Sequence, residues 1–318
     1  MTSIDLKEYE NLCYLGSGSF GEVRKVRHKS TKKIYVAKIS HRMQKYDPDQ
    51  HKWREVTIMP TLNHPSILKY YGFSGTDFSN EDKPVLILEY AHNKSLNDQF
   101  TNPTPLFREH FTPTKRLICF YGVASGMNYL HSQNILHRDL KLDNILLNYA
   151  FFPKISDFGL SKKLHTHFES FSNSSSGLKG SLLYMSPEAL SKCDFTFKND
   201  VYAFGMVLYT LLTNKRPYQE QKENPIALKL AGRKPDLDEG SVPQVYYDLI
   251  QRCLSQEPEK RPSFEEIVQE FITNPAFITD DVNRDEFLEY VNYINAYFNT
   301  SNPEEQAQIT ENFYQKYE

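Results

Sequence analysis

The hydrophobic period of the chain changes near residue 90, and that change constrains the fold more than any other feature. Before it, "GEVRKVRH" and "KKIYVAKIS" alternate apolar and polar residues with β-branched side chains, around a turn-like "HKSTKK". "ILKYYGF" and "PVLILEYA" read as further strands. One helix is expected at 49–59, where Trp53, Val56 and Met59 recur every three residues after an Asp47-Pro48 start. From about Ser95 the period is helical. "VYAFGMVLYTLL" is apolar on all sides and predicts a buried central helix. "NPIALKLAG" carries both helix-end signals, and Ser263 with Glu266 makes a capping-box pattern. The expectation is an α+β chain: a small β-rich lobe, a hinge near Glu89–His92 and a larger helical lobe. Stretches 101–114 and 168–177 are expected to be loops.

Composition narrows the function. The chain has 318 residues, 39% of them hydrophobic and 24% charged, enough for a full-sized core. A net charge of −3 gives no basic excess for nucleic acid or an anionic membrane. Cys13, Cys119, Cys193 and Cys253 form no C-x-x-C pair, so neither a disulfide frame nor a zinc site is expected. "MTSIDLKEYE" has no signal core, position 2 is not the glycine that myristoylation needs, and runs such as "MVLYTLL" are too short to span a bilayer. A soluble cytoplasmic protein without membrane insertion is expected.

Four groups of residues point to phosphate chemistry. "LGSGSFGEV" sets Gly16, Gly18 and Gly21 so that backbone N–H groups can approach phosphate oxygens. A dinucleotide fold would need a helix directly after the glycines, and a strand follows here. Lys38 lies mid-strand, where a lysine is ordinarily a snorkelling surface residue; Glu55 on the predicted helix is the carboxylate that would fix it as a phosphate-binding charge. "HRDLKLDN" clusters Asp139, Lys141 and Asn144. Asp157 follows Asn144 by thirteen residues, and two hard oxygen donors suit magnesium, which binds one or two protein groups besides phosphate and water.

Together these elements resemble the protein kinase family. The matching residues are Gly16-x-Gly18-x-x-Gly21-x-Val23, Lys38, Glu55, His137-Arg138-Asp139-Leu140-x-x-x-Asn144, Asp157-Phe158-Gly159, Ser186-Pro187-Glu188, Asp200 in "NDVYAFG" and Arg261 in "KRPSFEEI". The resemblance covers residues 9 to 273 and implies a catalytic domain over 1–273, with a small lobe at about 9–89, a hinge at about 89–92 and a large lobe at about 93–273. It implies ATP and magnesium as cofactors, and protein substrates. Asp139 would accept the acceptor-hydroxyl proton and Lys141 would stabilise the transferred group; Lys38, paired with Glu55, would grip phosphates, and Asn144 and Asp157 would hold metal. The loop Gly16, Ser17, Gly18, Ser19, Phe20 and Gly21 would cover the nucleotide with Val23. Val36, Leu88, Glu89, Ala91 and Leu146 would surround the adenine. Glu188 and Arg261 would form a buried structural ion pair.

Lys141 and Ser181 resemble the serine/threonine branch, and "ASGMNYLHSQNILHRDLK" looks like its tyrosine-kinase-like group. Three positions depart from the family pattern. Val36 stands where alanine is usual and is expected to narrow the adenine slot. Pro60 is expected to end the Glu55 helix near Met59 and to make the Lys38 pairing conditional. Ser186 replaces a commoner alanine, with little effect expected. Ser174, Ser175 and Ser176, twelve to fourteen residues before Glu188, are candidate phosphorylation sites that would pair with Arg138. His165 and His167 read as solvated histidines rather than metal ligands. Residues 274–318 are expected to form a helical tail of unknown partner, with Phe287, Val291, Ile294 and Phe298 as its apolar stripe and a second helix starting at Asn302-Pro303. Two classes of function stay open: an active phosphotransferase, and a pseudokinase-like scaffold that binds nucleotide and partners without useful turnover.

Overall fold

A computed structural model describes residues 2–18, 21–40, 51–164 and 182–317. The first lobe is an antiparallel sheet of β1 (Tyr9–Gly18), β2 (Gly21–His28), β3 (Ile34–Ser40), β4 (Tyr70–Ser74) and β5 (Val85–Glu89), in the spatial order β1-β2-β3-β5-β4. Period-two alternation serves two cores at once. On β5, Val85 and Ile87 join a small outer cluster with Val26, Ala37 and Ile39, while Leu86 and Leu88 join the main core.

Helix α1 (His51–Ile58) gives way to a 3-10 turn over Met59–Thr61, as Pro60 requires, since proline cannot donate to the helical ladder. Val56 and Met59 are buried as their spacing predicts. The Asp47-Pro48 start and the Trp53 side chain lie outside the described residues, as do Ser19, Phe20, His165, His167, Ser174, Ser175, Ser176 and Ser181.

The second lobe contains α2 (Leu96–Thr101), α3 (Pro105–His110), α4 (Pro113–Ser132), β6 (Ile135–Leu136), β7 (Ile145–Leu147), β8 (Pro153–Ile155), β9 (Lys162–Lys163), α5 (Pro187–Lys192), α6 (Phe197–Thr213), α7 (Pro225–Leu230), α8 (Gln244–Cys253) and α9 (Phe264–Thr273). Every residue of α6 from Asn199 to Thr210 is buried, as its all-round apolar pattern predicts. Ser263 and Glu266 form the expected capping box on α9.

The expected loop at 101–114 is largely helical. Thr104 caps α3 by accepting from the Phe107 N–H at 3.2 Å, and Thr112 caps α4 by accepting from Lys115 at the same distance. Each threonine precedes a proline, so both Thr-Pro pairs are helix starts. Phe107 and Phe111 stack at 4.5 Å and are half-buried against the main core, which gives the short α3 an apolar contact.

Beyond α9, helix α10 (Arg284–Phe298) folds back on α4, and α11 (Pro303–Tyr314) packs on α10. The buried stripe is wider than Phe287, Val291 and Ile294, since Tyr290, Tyr293 and Tyr297 are buried too; Phe298 is 44% exposed. The Tyr290 hydroxyl meets Ser66 Oγ at 3.0 Å. It lies so close to α4 that a Cβ on Gly122 would approach it to 2.7 Å, so glycine is required there. Asn63, just past the 3-10 turn, is bracketed by the Tyr297 hydroxyl and by Gln306 of α11. The tail thereby touches the connection that follows the Glu55 helix.

Candidate active site

The β1–β2 hairpin carries the glycine-rich turn, with Gly18 opposite Gly21 and Gly16 opposite Val23. Gly21 sits at φ +147, and a Cβ there would meet the Ile39 carbonyl oxygen at 1.9 Å, so only glycine closes the turn onto β3. A Cβ on Gly16 would meet nothing within 4 Å, so the backbone there is open to approach.

Lys38 projects from β3 to the lobe interface. Its ammonium donates to Glu55 at 2.7 Å and to Asp157 at 3.0 Å. Burial works against the charge, but Glu55 and then Asp157 more than offset it and hold the ammonium above its ordinary range. Burial likewise pushes the Asp157 carboxyl up, and Lys38 more than reverses this, leaving it below its ordinary value. The helix that Pro60 shortens therefore still delivers Glu55 to Lys38.

Asp200 of α6 anchors the loop over residues 137–139 from beneath. It is 2% exposed and accepts from the His131 ring at 2.9 Å and from the backbone N–H groups of His137 at 3.0 Å and Arg138 at 2.9 Å. Burial raises its carboxyl, and these donors, His131 first, bring it below the usual range. So anchored, the chain turns through a left-handed Arg138 at φ 68 and presents Asp139. Lys141 Nζ lies 2.8 Å from Asp139 Oδ2. The Asn144 amide donates to the Asp139 carbonyl at 2.7 Å and to Asp139 Oδ2 at 2.9 Å.

The β7–β8 hairpin places Asn144 and Asp157 at the same end, because Asn144 precedes β7, Asp157 follows β8, and Ser156 donates back to the Asn144 carbonyl at 2.9 Å. With its nitrogen engaged by Asp139, Asn144 has its amide oxygen to offer a cation. Among the described residues there is no cluster of three or more His, Cys, Asp or Glu that would cage a metal alone. One amide oxygen and one carboxylate fit magnesium, which takes its remaining ligands from phosphate and water.

Val36, Ala91 and Leu146 are half-buried apolar walls against the main core, and Val36 pairs with the buried Leu88 across β3 and β5. The Glu89 N–H is bound to the Lys69 carbonyl at 2.8 Å, so it is not the group that would meet a nucleobase. The Glu89 carboxylate is taken by Lys154 at 3.0 Å.

Glu188 and Arg261 are joined through two bonds of 2.6 and 2.9 Å. Asn199 donates to both Glu188, at 2.7 Å, and the fully buried Ser186 hydroxyl, at 2.5 Å. The Ser186 hydroxyl, at a position where the family more commonly has alanine, is therefore engaged in the interior. The roles of Asp200 and Asn199 as anchors were not read from the sequence; the capping pattern Thr196-x-x-Asn199 was the available signal.

The protein kinase domain model matches residues 9–272. The chain belongs to the protein kinase family. This kinase is 35% identical over 256 residues to a probable serine/threonine-protein kinase of Dictyostelium discoideum, covering 80% of the chain and 23% of that relative. It is 30% identical to the Aurora kinase of Saccharomyces cerevisiae, over 81% of the chain and 67% of that protein. It is also 32% identical to the tyrosine-protein kinase FRK of Homo sapiens, over 82% of the chain and 50% of that protein. The kinase thus spans between about a quarter and two thirds of the length of these relatives.

Proposed function

We propose that the protein transfers the γ-phosphoryl group of ATP, with magnesium, to serine or threonine hydroxyls of protein substrates. The observation that carries this reading is the Asp139–Lys141–Asn144 constellation, a carboxylate with an ammonium at 2.8 Å and an amide at 2.9 Å. Asp139 would orient the acceptor hydroxyl and take up its proton as the new P–O bond forms. Lys141, beside it, would hold positive charge where the transferred group gathers negative charge. Lys38, fixed by Glu55, would present an ammonium to the nucleotide phosphates. Asn144 and Asp157 would hold magnesium, which when bound neutralises phosphate charge. Since phosphoryl transfer asks mainly for positioning and charge, a preassembled set of this kind suits it.

The choice of serine or threonine rests on Lys141, with support from the relatives named as serine/threonine kinases. Phosphoamino-acid analysis after reaction with a mixed peptide library tests it: phosphoserine and phosphothreonine should dominate, and dominant phosphotyrosine would overturn it. Among the described residues no helix is long and apolar enough to cross a membrane.

Control by phosphorylation at Ser174, Ser175 or Ser176 belongs to the same reading. Arg138 is their proposed receptor. It stacks on Phe195 at 4.1 Å, and its Nε is buried without a hydrogen-bond partner among the described residues. Burial and then the neighbouring Arg54 lower its guanidinium, and an added phosphate would relieve that repulsion. Phosphatase treatment should lower activity in the wild type and have no effect in Arg138→Ala.

A further inference from the structure

Lys229 lies near the end of α7 and is fully buried. Its ammonium donates to three backbone carbonyls, those of Leu182 at 3.1 Å, Leu183 at 2.8 Å and Met185 at 2.6 Å. These carbonyls belong to a turn with no helical or strand ladder of its own. Three acceptors around one nitrogen select the ammonium, because a neutral amine carries only two hydrogens. The rings of Tyr202 and Tyr218 flank it at 5.3 and 5.9 Å.

The clamped turn borders the chemistry. Tyr184, Met185 and Ser186 line one cavity together with Arg138, Asp139 and Leu140, so the turn packs beside the loop that carries the proposed proton acceptor.

We propose that Lys229 is a positioning residue for the protein acceptor, its ammonium clamping residues 182–185 in register beside the loop that carries Asp139. The proposal rests on the phosphotransfer reading above. A cation held inside the lobe at three carbonyls is a poor device for stability, because desolvation of the charge offsets most of what the bonds return. Burial pushes the ammonium down from its ordinary range, with Glu188 opposing. What the arrangement provides is geometry: three fixed distances from a helix to a turn that otherwise lacks regular bonding.

The test varies peptide and ATP separately in steady-state kinetics for the wild type, Lys229→Met and Lys229→Gln, with magnesium-ADP binding by calorimetry as the check on the nucleotide site. Methionine keeps the apolar volume and removes the donors; glutamine retains a shorter neutral donor. For Lys229→Met the KM for peptide should rise about tenfold, 1.4 kcal/mol. The rise should be smaller for Lys229→Gln, and kcat and the KM for ATP should stay within about twofold. Peptide KM values unchanged in both variants would overturn the proposal. So would parallel loss of nucleotide binding and turnover, because Lys229 would then only hold the lobe together. A wild type that phosphorylates no serine or threonine peptide defeats the phosphotransfer reading, and the clamp's role with it. An active wild type with unaffected variants defeats the clamp alone.

Discussion

Removing Glu188 should destabilise the protein far more than removal of a surface carboxylate. Arg261 is fully buried, and its guanidinium donates to Glu188 at 2.6 and 2.9 Å, to the Lys198 carbonyl at 3.0 Å and to the Ser255 carbonyl at 2.9 Å. Glu188→Ala leaves that guanidinium with its two carbonyls and no counter-charge. Breaking one side of a buried pair costs about 3–5 kcal/mol. For a domain of this size each kcal/mol moves the melting temperature by about 2–4 °C, so a fall of roughly 6–20 °C is expected. Circular dichroism melts at one fixed scan rate would read it. Glu188→Ala/Arg261→Met should recover most of the loss, because no charge is then stranded. The pH dependence follows from the same contact. Burial raises the Glu188 carboxyl, but Arg261 more than offsets this and leaves it below its ordinary 4.5. A depressed carboxyl contributes stability that is present above its unfolded value and lost as pH falls through the folded one. The gap between wild type and Glu188→Ala should therefore narrow below pH 4.5. A single-variant loss under about 2 °C, or a double variant no better than the single, would refute the reasoning.

His64 should shape the acid limb of stability: burial, then Lys154, pushes it from 6.5 down to about 3, with Nδ1 accepting from the Ser66 N–H at 2.9 Å. A folded value below the unfolded one means stability is lost as pH falls from 6.5 toward 3, so His64→Gln should flatten that limb in chemical denaturation; an unchanged limb would contradict this. Val36→Ala should improve binding of bulky adenine-site inhibitors by about tenfold through steric relief, and an unchanged inhibitor profile would place the constriction elsewhere.

Much of this architecture is legible in the sequence, because its signals are local. Strand alternation, the Pro60 stop, the capping of α9 and the all-round apolar α6 each depend on neighbours within a few residues. Failures came where tertiary context decides. The 101–114 stretch is dense in threonine and proline, and only the Phe107–Phe111 stack, with Phe151 near it, shows that its Thr-Pro pairs start helices. Lys229 in "ALKLAG" looks like any helix lysine, since nothing nearby in sequence reports that three carbonyls 44 to 47 residues away surround it. The aromatic stripe of α10 announces that it must be buried, but not where. Its destination, a nest around Phe152 with Tyr290 at 4.9 Å and Phe313 at 5.5 Å, is a property of the folded chain. Asp139, Lys141, Asn144 and Asp157 were readable because their spacing is set by one loop and one hairpin.

The most direct test of the central claim is transfer of labelled phosphate from magnesium-ATP to a generic serine/threonine substrate by the wild type and by Asp139→Asn. The substitution keeps the size of the side chain and removes the charge proposed to orient the acceptor and take its proton. Turnover should fall by roughly two to four orders of magnitude while nucleotide binding persists. Equal phosphotransfer by the two proteins, or none by the wild type, would contradict the account and leave a nucleotide-binding scaffold in its place.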